Sequence, residues 1–215
     1  MTDPRPQGFL AVPPDGEGSG VLVLHAWWGL NDTMKRLCSR LADSGFVAFA
    51  PDLYHGEVAD TIERATMLGR ALDAREREAM AEVAAAVRYL EGLSPAAGHP
   101  GLAVIGFSLG TYYALALAAS EPERIRSVVL YYGTGGVDPS RSRAAYLGHF
   151  AENDPYEPAS NVDELEESLR KAGRPVTFHR YAGTGHWFCE PDRADAYDEP
   201  AAALAWERTL EFLRR

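Results

Sequence analysis

Cysteine, long apolar runs and positive charge are all scarce in this chain, and each shortage removes a class of function. Only two cysteines occur among 215 residues, Cys38 and Cys189, and neither belongs to a CxxC or Cys/His ligand spacing. Free thiols are therefore expected, with neither a disulfide framework nor a structural zinc. No apolar run is long enough to cross a bilayer, so no membrane association is expected. The opening stretch MTDPRPQGFLAVPPDGEGSG is polar and rich in proline, and its apolar piece, Phe9 to Val12, is too short for a signal-peptide core. A cytoplasmic protein is the expectation. Lys and Arg number 21 against 31 Asp and Glu, a net charge of −10 that no basic cluster interrupts, which argues against a nucleic-acid partner. Internal repeats, low-complexity tracts and Gly/Ser/Pro-rich linkers are missing as well, so residues 1–215 read as a single domain.

What is present is an alternation of apolar strand-like runs with amphipathic helix-like segments. That pattern predicts an α/β protein built on a mostly parallel, twisted sheet of about seven strands with helices on both faces. Strands are expected at residues 20–25, 46–50, 102–107, 125–132, 144–150 and 176–181, with a short one at 9–12 before them. Met34, Leu37, Cys38 and Leu41 form one helical stripe. Spacings of three and four likewise join Met80, Val83, Val87 and Leu90, then Val162, Leu165 and Leu169, with Gly92 and Gly173 as the expected stops. A last helix is expected over 201–212, entered through Pro200, with Leu204, Trp206, Leu210 and Phe212 making its apolar contacts. Residues 52–74 are harder to assign and read as a loop plus short helix over the C-terminal edge of the sheet, a possible lid.

Chemistry concentrates in Gly106-Phe107-Ser108-Leu109-Gly110, a G-x-S-x-G pattern between the buried strand at 102–107 and a helix at 111–119. A serine on such a sharp strand-to-helix turn projects its hydroxyl into the cleft above the sheet. The flanking glycines are needed because the turn is strained and crowded. The helix start also aims free N–H groups at the site, so Leu109 N–H is a candidate oxyanion donor. The competing reading is a plain βα turn in which Ser108 only caps the helix.

A serine hydroxyl needs a base, and the base needs a carboxylate to fix its tautomer. Of six histidines, His186 stands in a glycine-rich loop after the last expected strand and before the last helix, and it satisfies the order serine, acid, histidine. His25, His55, His99, His149 and His179 have easier structural or surface roles. Asp154 follows the strand at 144–150 in a proline-stiffened loop and is the candidate acid, with Glu152 as its rival and a plain turn-forming role as the alternative.

The segments His25-Ala-Trp-Trp-Gly-Leu-Asn, Ala50-Pro-Asp-Leu-Tyr, Gly106-Phe-Ser-Leu-Gly, Tyr132-Gly, Asp154-Pro-Tyr and Gly185-His-Trp-Phe together resemble the dienelactone hydrolase family of α/β-hydrolases, from Val21 to the terminal helix. The resemblance implies hydrolysis of lactones or carboxylic esters without metal or organic cofactor, and makes Trp27 N–H the second oxyanion donor. Three positions depart from the family pattern: Ser108 stands where cysteine is typical, Ala26 where glutamate is typical, and Glu190 in the region where a carboxylate-binding arginine is expected. A serine gains nothing from a carboxylate beside it, so the first two departures agree with each other. The third argues against recognition of a substrate carboxylate, and the −10 balance with the rings of Trp28, Tyr54, Trp187 and Phe188, beside Trp27, favours a neutral, partly apolar ester, those rings being candidate pocket lining. Ordinary core packing is the alternative for each of them.

The reading is thus a serine esterase or lactonase that takes a small-molecule ester or lactone through an acyl-enzyme. Cofactor-free perhydrolysis or acyl transfer would use the same triad, and a catalytically silent sensor or binding module would use the same fold. The natural substrate and the oligomeric state are left open.

Overall fold

The computed structural model describes residues 5–94 and 101–215; His99 lies outside the described residues. Among the described residues are seven strands and six helices: β1 (Gly8–Ala11), β2 (Ser19–Leu24), α1 (Asp32–Asp43), β3 (Phe46–Pro51), α2 (Ile62–Asp73), α3 (Glu76–Leu93), β4 (Leu102–Phe107), α4 (Leu109–Ser120), β5 (Ile125–Tyr131), β6 (Ala145–Asn153), α5 (Ala159–Lys171), β7 (Val176–Gly185) and α6 (Glu199–Leu213). They form one sheet in the order β1-β3-β2-β4-β5-β6-β7. Only the edge pair β1–β3 is antiparallel; the other five pairings are parallel.

Strand alternation divides the core in two. Leu22, Leu24, Val47, Phe49, Val104, Val128 and Leu130 point to one face, where α3, α4 and α5 cover them. Val21, Val23, Ala48, Ile105, Val129 and Tyr131 point to the other, beneath α1 and α6. Strands buried on both faces must be apolar at every position, which is why β2, β3 and β4 carry no charged residue. Burying each such Val, Leu or Ile side chain contributes about 1.5–3 kcal/mol.

The helix stripes lie largely where their spacing put them: Met34, Cys38 and Leu41 of α1, Val83, Val87 and Leu90 of α3, and Val162, Leu165 and Leu169 of α5 are buried. Leu37 and Met80 are only partly buried. Gly173 stops α5 as expected, with φ 71° and its N–H on Arg170 O, while Arg174 N–H bonds Leu169 O. Gly92 does not stop α3, which runs one residue further to Leu93 and is capped by Ser94. In α6, Pro200 sits in the first turn, but Leu204 is 41% exposed and makes no core contact of the kind its spacing suggested.

β3 outruns its expected end by one residue and β6 and β7 by three and four, and the last two extensions build the site. β6 continues to Asn153 and β7 to Gly185, with a register irregularity between Ala151 and Asn153, so that Asn153 pairs with Gly185. The residues that follow, Asp154 and His186, therefore leave the sheet side by side. Part of the glycine-rich loop expected before His186 is thus strand: residues 182–185 continue β7, and Gly185 pairs with Asn153, while Gly183 N–H donates to the Glu152 side chain.

Candidate active site

The turn after β4 has the strain its sequence predicts. Ser108 adopts φ 48° and ψ −114°, a conformation L-residues rarely occupy. A Cβ on Gly106 would stand 2.7 Å from Gly110 O, and one on Gly110 would stand 2.3 Å from Leu24 O, so neither position admits a side chain. Ser108 makes no side-chain capping bond to α4, which removes the plain-cap reading; its Oγ lies 2.9 Å from Nε2 of His186. On the other side of the ring, Nδ1 lies 2.7 Å from Oδ2 of Asp154. The side chains of His186 and Asp154 are 4% and 3% exposed. An ionised carboxylate only accepts, so Nδ1 carries the proton in this pair and Nε2 is left with its lone pair toward the Ser108 hydroxyl.

Asp154 is itself oriented. Its Oδ1 accepts from Tyr156 N–H at 2.9 Å and Glu157 N–H at 3.0 Å, a turn that leaves Oδ2 for the imidazole. The rival Glu152 is exposed and accepts from Gly183 N–H instead. The other described histidines stand apart from this chain of bonds. His25 is fully buried between Ala26 O and Leu53 N–H, His55 pairs with Glu82, and His149 bonds Tyr181 and Thr209 beneath α6, with His179 stacked on it.

Ser108 and His186 open into a cleft of about 340 Å³ walled by Trp27, Leu109, Tyr112, Tyr113, Tyr132, Gly133, Thr134, Tyr156 and Trp187, with the carboxylates Asp73 and Glu157 also in its wall. Three of the four described non-glycine residues with positive φ, namely Ser108, Tyr132 and Trp187, lie in this wall. A larger groove of about 720 Å³ between α5 and residues 136–140 shares Thr134 but reaches neither Ser108 nor His186. Both candidate oxyanion donors, Leu109 and Trp27, border the cleft. Leu109 opens α4, so its N–H has no carbonyl one turn earlier to bond.

Of the five candidate pocket rings, Trp27 and Trp187 line this cleft. Trp28 is 2% exposed, wedged between Trp187 and the Arg193 guanidinium; Tyr54 packs edge-on to His25; Phe188 is fully buried against Tyr132 and Tyr181. These three are core residues; Trp28 and Phe188 each directly follow a ring that lines the cleft. The rings that do line the cleft without having been singled out are Tyr112, Tyr113, Tyr132 and Tyr156. The signal for two of them was proximity: Tyr132 directly follows β5, and Tyr156 stands two residues after Asp154.

The possible lid resolves into a loop at 52–61 and α2, which borders the cleft through Asp73 and packs Gly69 against the Trp27 indole. Glu190 does not face the cleft. It is fully buried behind His186, where Oε1 accepts from Tyr132 OH at 2.7 Å and burial pushes its carboxyl up to about 8. Both cysteines are free, and burial raises their thiols, that of Cys38 to about 12. Among the described residues no group of three or more His, Cys, Asp or Glu is arranged to hold a metal ion, and no helix is long and apolar enough to cross a membrane.

A model of the dienelactone hydrolase family matches residues 7–215. Similar chains include protein usf of Aquifex pyrophilus, 31% identical over 97% of this chain and 92% of the relative. The carboxymethylenebutenolidase of Rhodococcus opacus is 28% identical over 100% of this chain and 87% of its own. Among solved structures, a dienelactone hydrolase-like promiscuous phosphotriesterase from metagenomic libraries superposes with a TM-score of 0.82 at 22% identity, covering 93% of this chain and 87% of that one.

Proposed function

Because the chain belongs to the dienelactone hydrolase family of hydrolases, we propose that it hydrolyses a neutral carboxylic ester or lactone through an acyl-enzyme formed on Ser108. The observation that carries this reading is the unbroken run of contacts from Ser108 Oγ to His186 Nε2 and from His186 Nδ1 to Asp154 Oδ2.

In this mechanism Ser108 Oγ attacks the acyl carbon while its proton passes to Nε2. Asp154 holds the imidazole in the accepting tautomer and stabilises the imidazolium that forms. The carbonyl electron pair collects on oxygen, where the N–H groups of Leu109 and Trp27 stabilise it, aided by the positive end of α4. Collapse of the tetrahedral species breaks the ester C–O bond, and the alkoxide leaves with the proton from Nε2. Water, deprotonated by the same nitrogen, then releases the acid and restores Ser108. The cleft supports a neutral substrate: its wall holds aromatic rings and two carboxylates, Asp73 and Glu157, with no lysine or arginine to pair with an anionic acyl chain.

The test is hydrolysis of a short-chain aryl ester by the protein beside its Ser108→Ala variant, with mass spectrometry after exposure to a fluorophosphonate. Turnover and a single adduct on Ser108, both lost in the variant, are expected. The absence of both turnover and adduct would overturn the enzyme reading and favour a small-molecule binding module.

A further inference from the structure

Asp154 owes its orientation to two backbone donors, and one of them, the N–H of Glu157, belongs to a residue whose own side chain is tied across the cleft. Glu157 Oε2 accepts from Thr134 N–H at 2.9 Å, and Oε1 accepts from Thr134 Oγ1 at 2.9 Å and from Asn161 Nδ2 at 3.0 Å. Thr134 stands in the loop after β5, next to Gly133. A Cβ on Gly133 would lie 2.3 Å from Thr111 Oγ1 and 2.6 Å from Ser108 O, so this loop rests directly on the turn that carries the serine. Thr111 Oγ1 in turn donates to Ser108 O at 2.6 Å.

The contacts close a ring. It runs from the Ser108 turn to Gly133 and Thr134, across to the Glu157 carboxylate, through the Glu157 backbone to Asp154, and by way of His186 back to Ser108 Oγ. Resting on the mechanism proposed above, we infer that Glu157 is a positioning residue: its carboxylate clamps the loop bearing Asp154 to the loop that supports Ser108, and so sets the Asp154–His186–Ser108 alignment. A carboxylate suits the task because it accepts both donors of one residue at once, in a fixed fork, and a charged acceptor makes the stronger bonds. Without the clamp, the Asp154 turn depends on chain stiffness alone, and displacements well under an ångström matter for proton transfer.

The test compares Glu157→Ala, Glu157→Gln and Thr134→Val with the parent protein, each checked for folding by thermal melt. Glu157→Ala is expected to lower kcat about 10- to 100-fold with KM little changed, the pattern of lost alignment and not of lost binding. Glu157→Gln should recover most of the loss, since the amide oxygen can accept from Thr134 N–H while the amide N–H donates to Thr134 Oγ1, with the exposed Asn161 amide turned to present its oxygen. Thr134→Val, which removes only the hydroxyl, should lie between, and combining it with Glu157→Ala should add little, because both changes break one link. A readout independent of turnover is the strongly deshielded proton-NMR signal of the His186 Nδ1 proton on Asp154, expected in the parent and in Ser108→Ala but broadened or shifted in Glu157→Ala. A Glu157→Ala protein with parental kcat and an unchanged Nδ1 signal would overturn the inference. Hydrolysis indifferent to Ser108→Ala would instead overturn the acyl-enzyme mechanism, and the NMR signal would still decide the role of Glu157.

Discussion

Replacing Asp154 by asparagine should harm the site more than its small change in size suggests, because the structure dictates which way the amide must face. Oδ1 accepts from two backbone N–H groups, those of Tyr156 and Glu157, inside a side-chain environment that is 3% exposed. Turning the amide NH2 toward those donors would leave buried N–H groups unpaired, at about 1–3 kcal/mol for each. The asparagine oxygen therefore takes the Oδ1 place, and Nδ2–H points at His186 Nδ1. That nitrogen must then accept, the ring proton moves to Nε2, and Nε2 can no longer take the proton of Ser108. The expected loss in kcat is about 10⁴-fold, the size seen when a serine protease triad is trapped in the wrong tautomer, or about 5 kcal/mol of barrier. Asp154→Ala does not impose the wrong tautomer and should lose less. The assay is steady-state hydrolysis of a short-chain aryl ester by both variants, with melts to confirm folding. An Asp154→Asn enzyme within tenfold of the parent, or clearly better than Asp154→Ala, would refute the tautomer argument.

Two further outcomes follow from charge. Glu190 has its carboxyl raised from 4.5 to about 8 by burial, so the folded state holds a proton that the unfolded chain releases above its own, lower value. A raised folded value means that stability is greatest below the unfolded value and falls as pH climbs from about 4.5 through about 8. The loss is at most about 5 kcal/mol, at roughly 1.4 kcal/mol per pH unit. Glu190→Gln should flatten this fall, so its melting temperature at pH ~9 should exceed the parent's while the two converge near pH ~5; parallel curves would show that Glu190 ionises freely. For substrates, a cleft with Asp73 and Glu157 but no cation in its wall should favour a neutral ester over one with a free acyl carboxylate by about tenfold or more in kcat/KM. Added salt should narrow the gap because Asp73 is exposed, and a preference for the anionic ester would contradict this reading.

The fold was legible because its strands are buried on both faces and so announce themselves as apolar runs between helix stripes. The serine turn was legible because its glycines answer to collisions that only Gly avoids, at Leu24 O and Gly110 O. What the sequence did not disclose depends on register and on direction. Nothing in Ala151 to Asn153 or Ala182 to Gly185 marks these glycine-containing and charged residues as strand; they pair because β6 and β7 shift register, and that shift is what sets Asp154 beside His186. Likewise Trp27 and Trp28 are chemically alike in the sequence, but consecutive residues in a turn point apart, so one borders the cleft and the other is buried under Arg193. Glu157 was within reach, three residues after Asp154, but its partner Thr134 is 23 positions away and belongs to a different loop.

The departures from the family pattern can now be weighed together. Ala26, where a glutamate is typical, is 1% exposed in the core, and a carboxylate there would need a partner that the apolar surroundings do not offer. Glu190, in the region where an arginine was expected, turns inward to Tyr132, whose ring packs 4.9 Å from that of His186. Among the described residues, Asp154 is then the only carboxylate bonded to His186. That arrangement suits a serine. A thiol can ionise before substrate arrives and must be held in check, whereas a hydroxyl keeps its proton until the moment of attack and needs a base of fixed tautomer. Changing Ser108 to cysteine alone would therefore place a thiol in a site without the restraint the family pattern associates with it. Under the mechanism proposed above, the residues at 26 and 108 agree with one another, while Glu190 meets the site only through Tyr132.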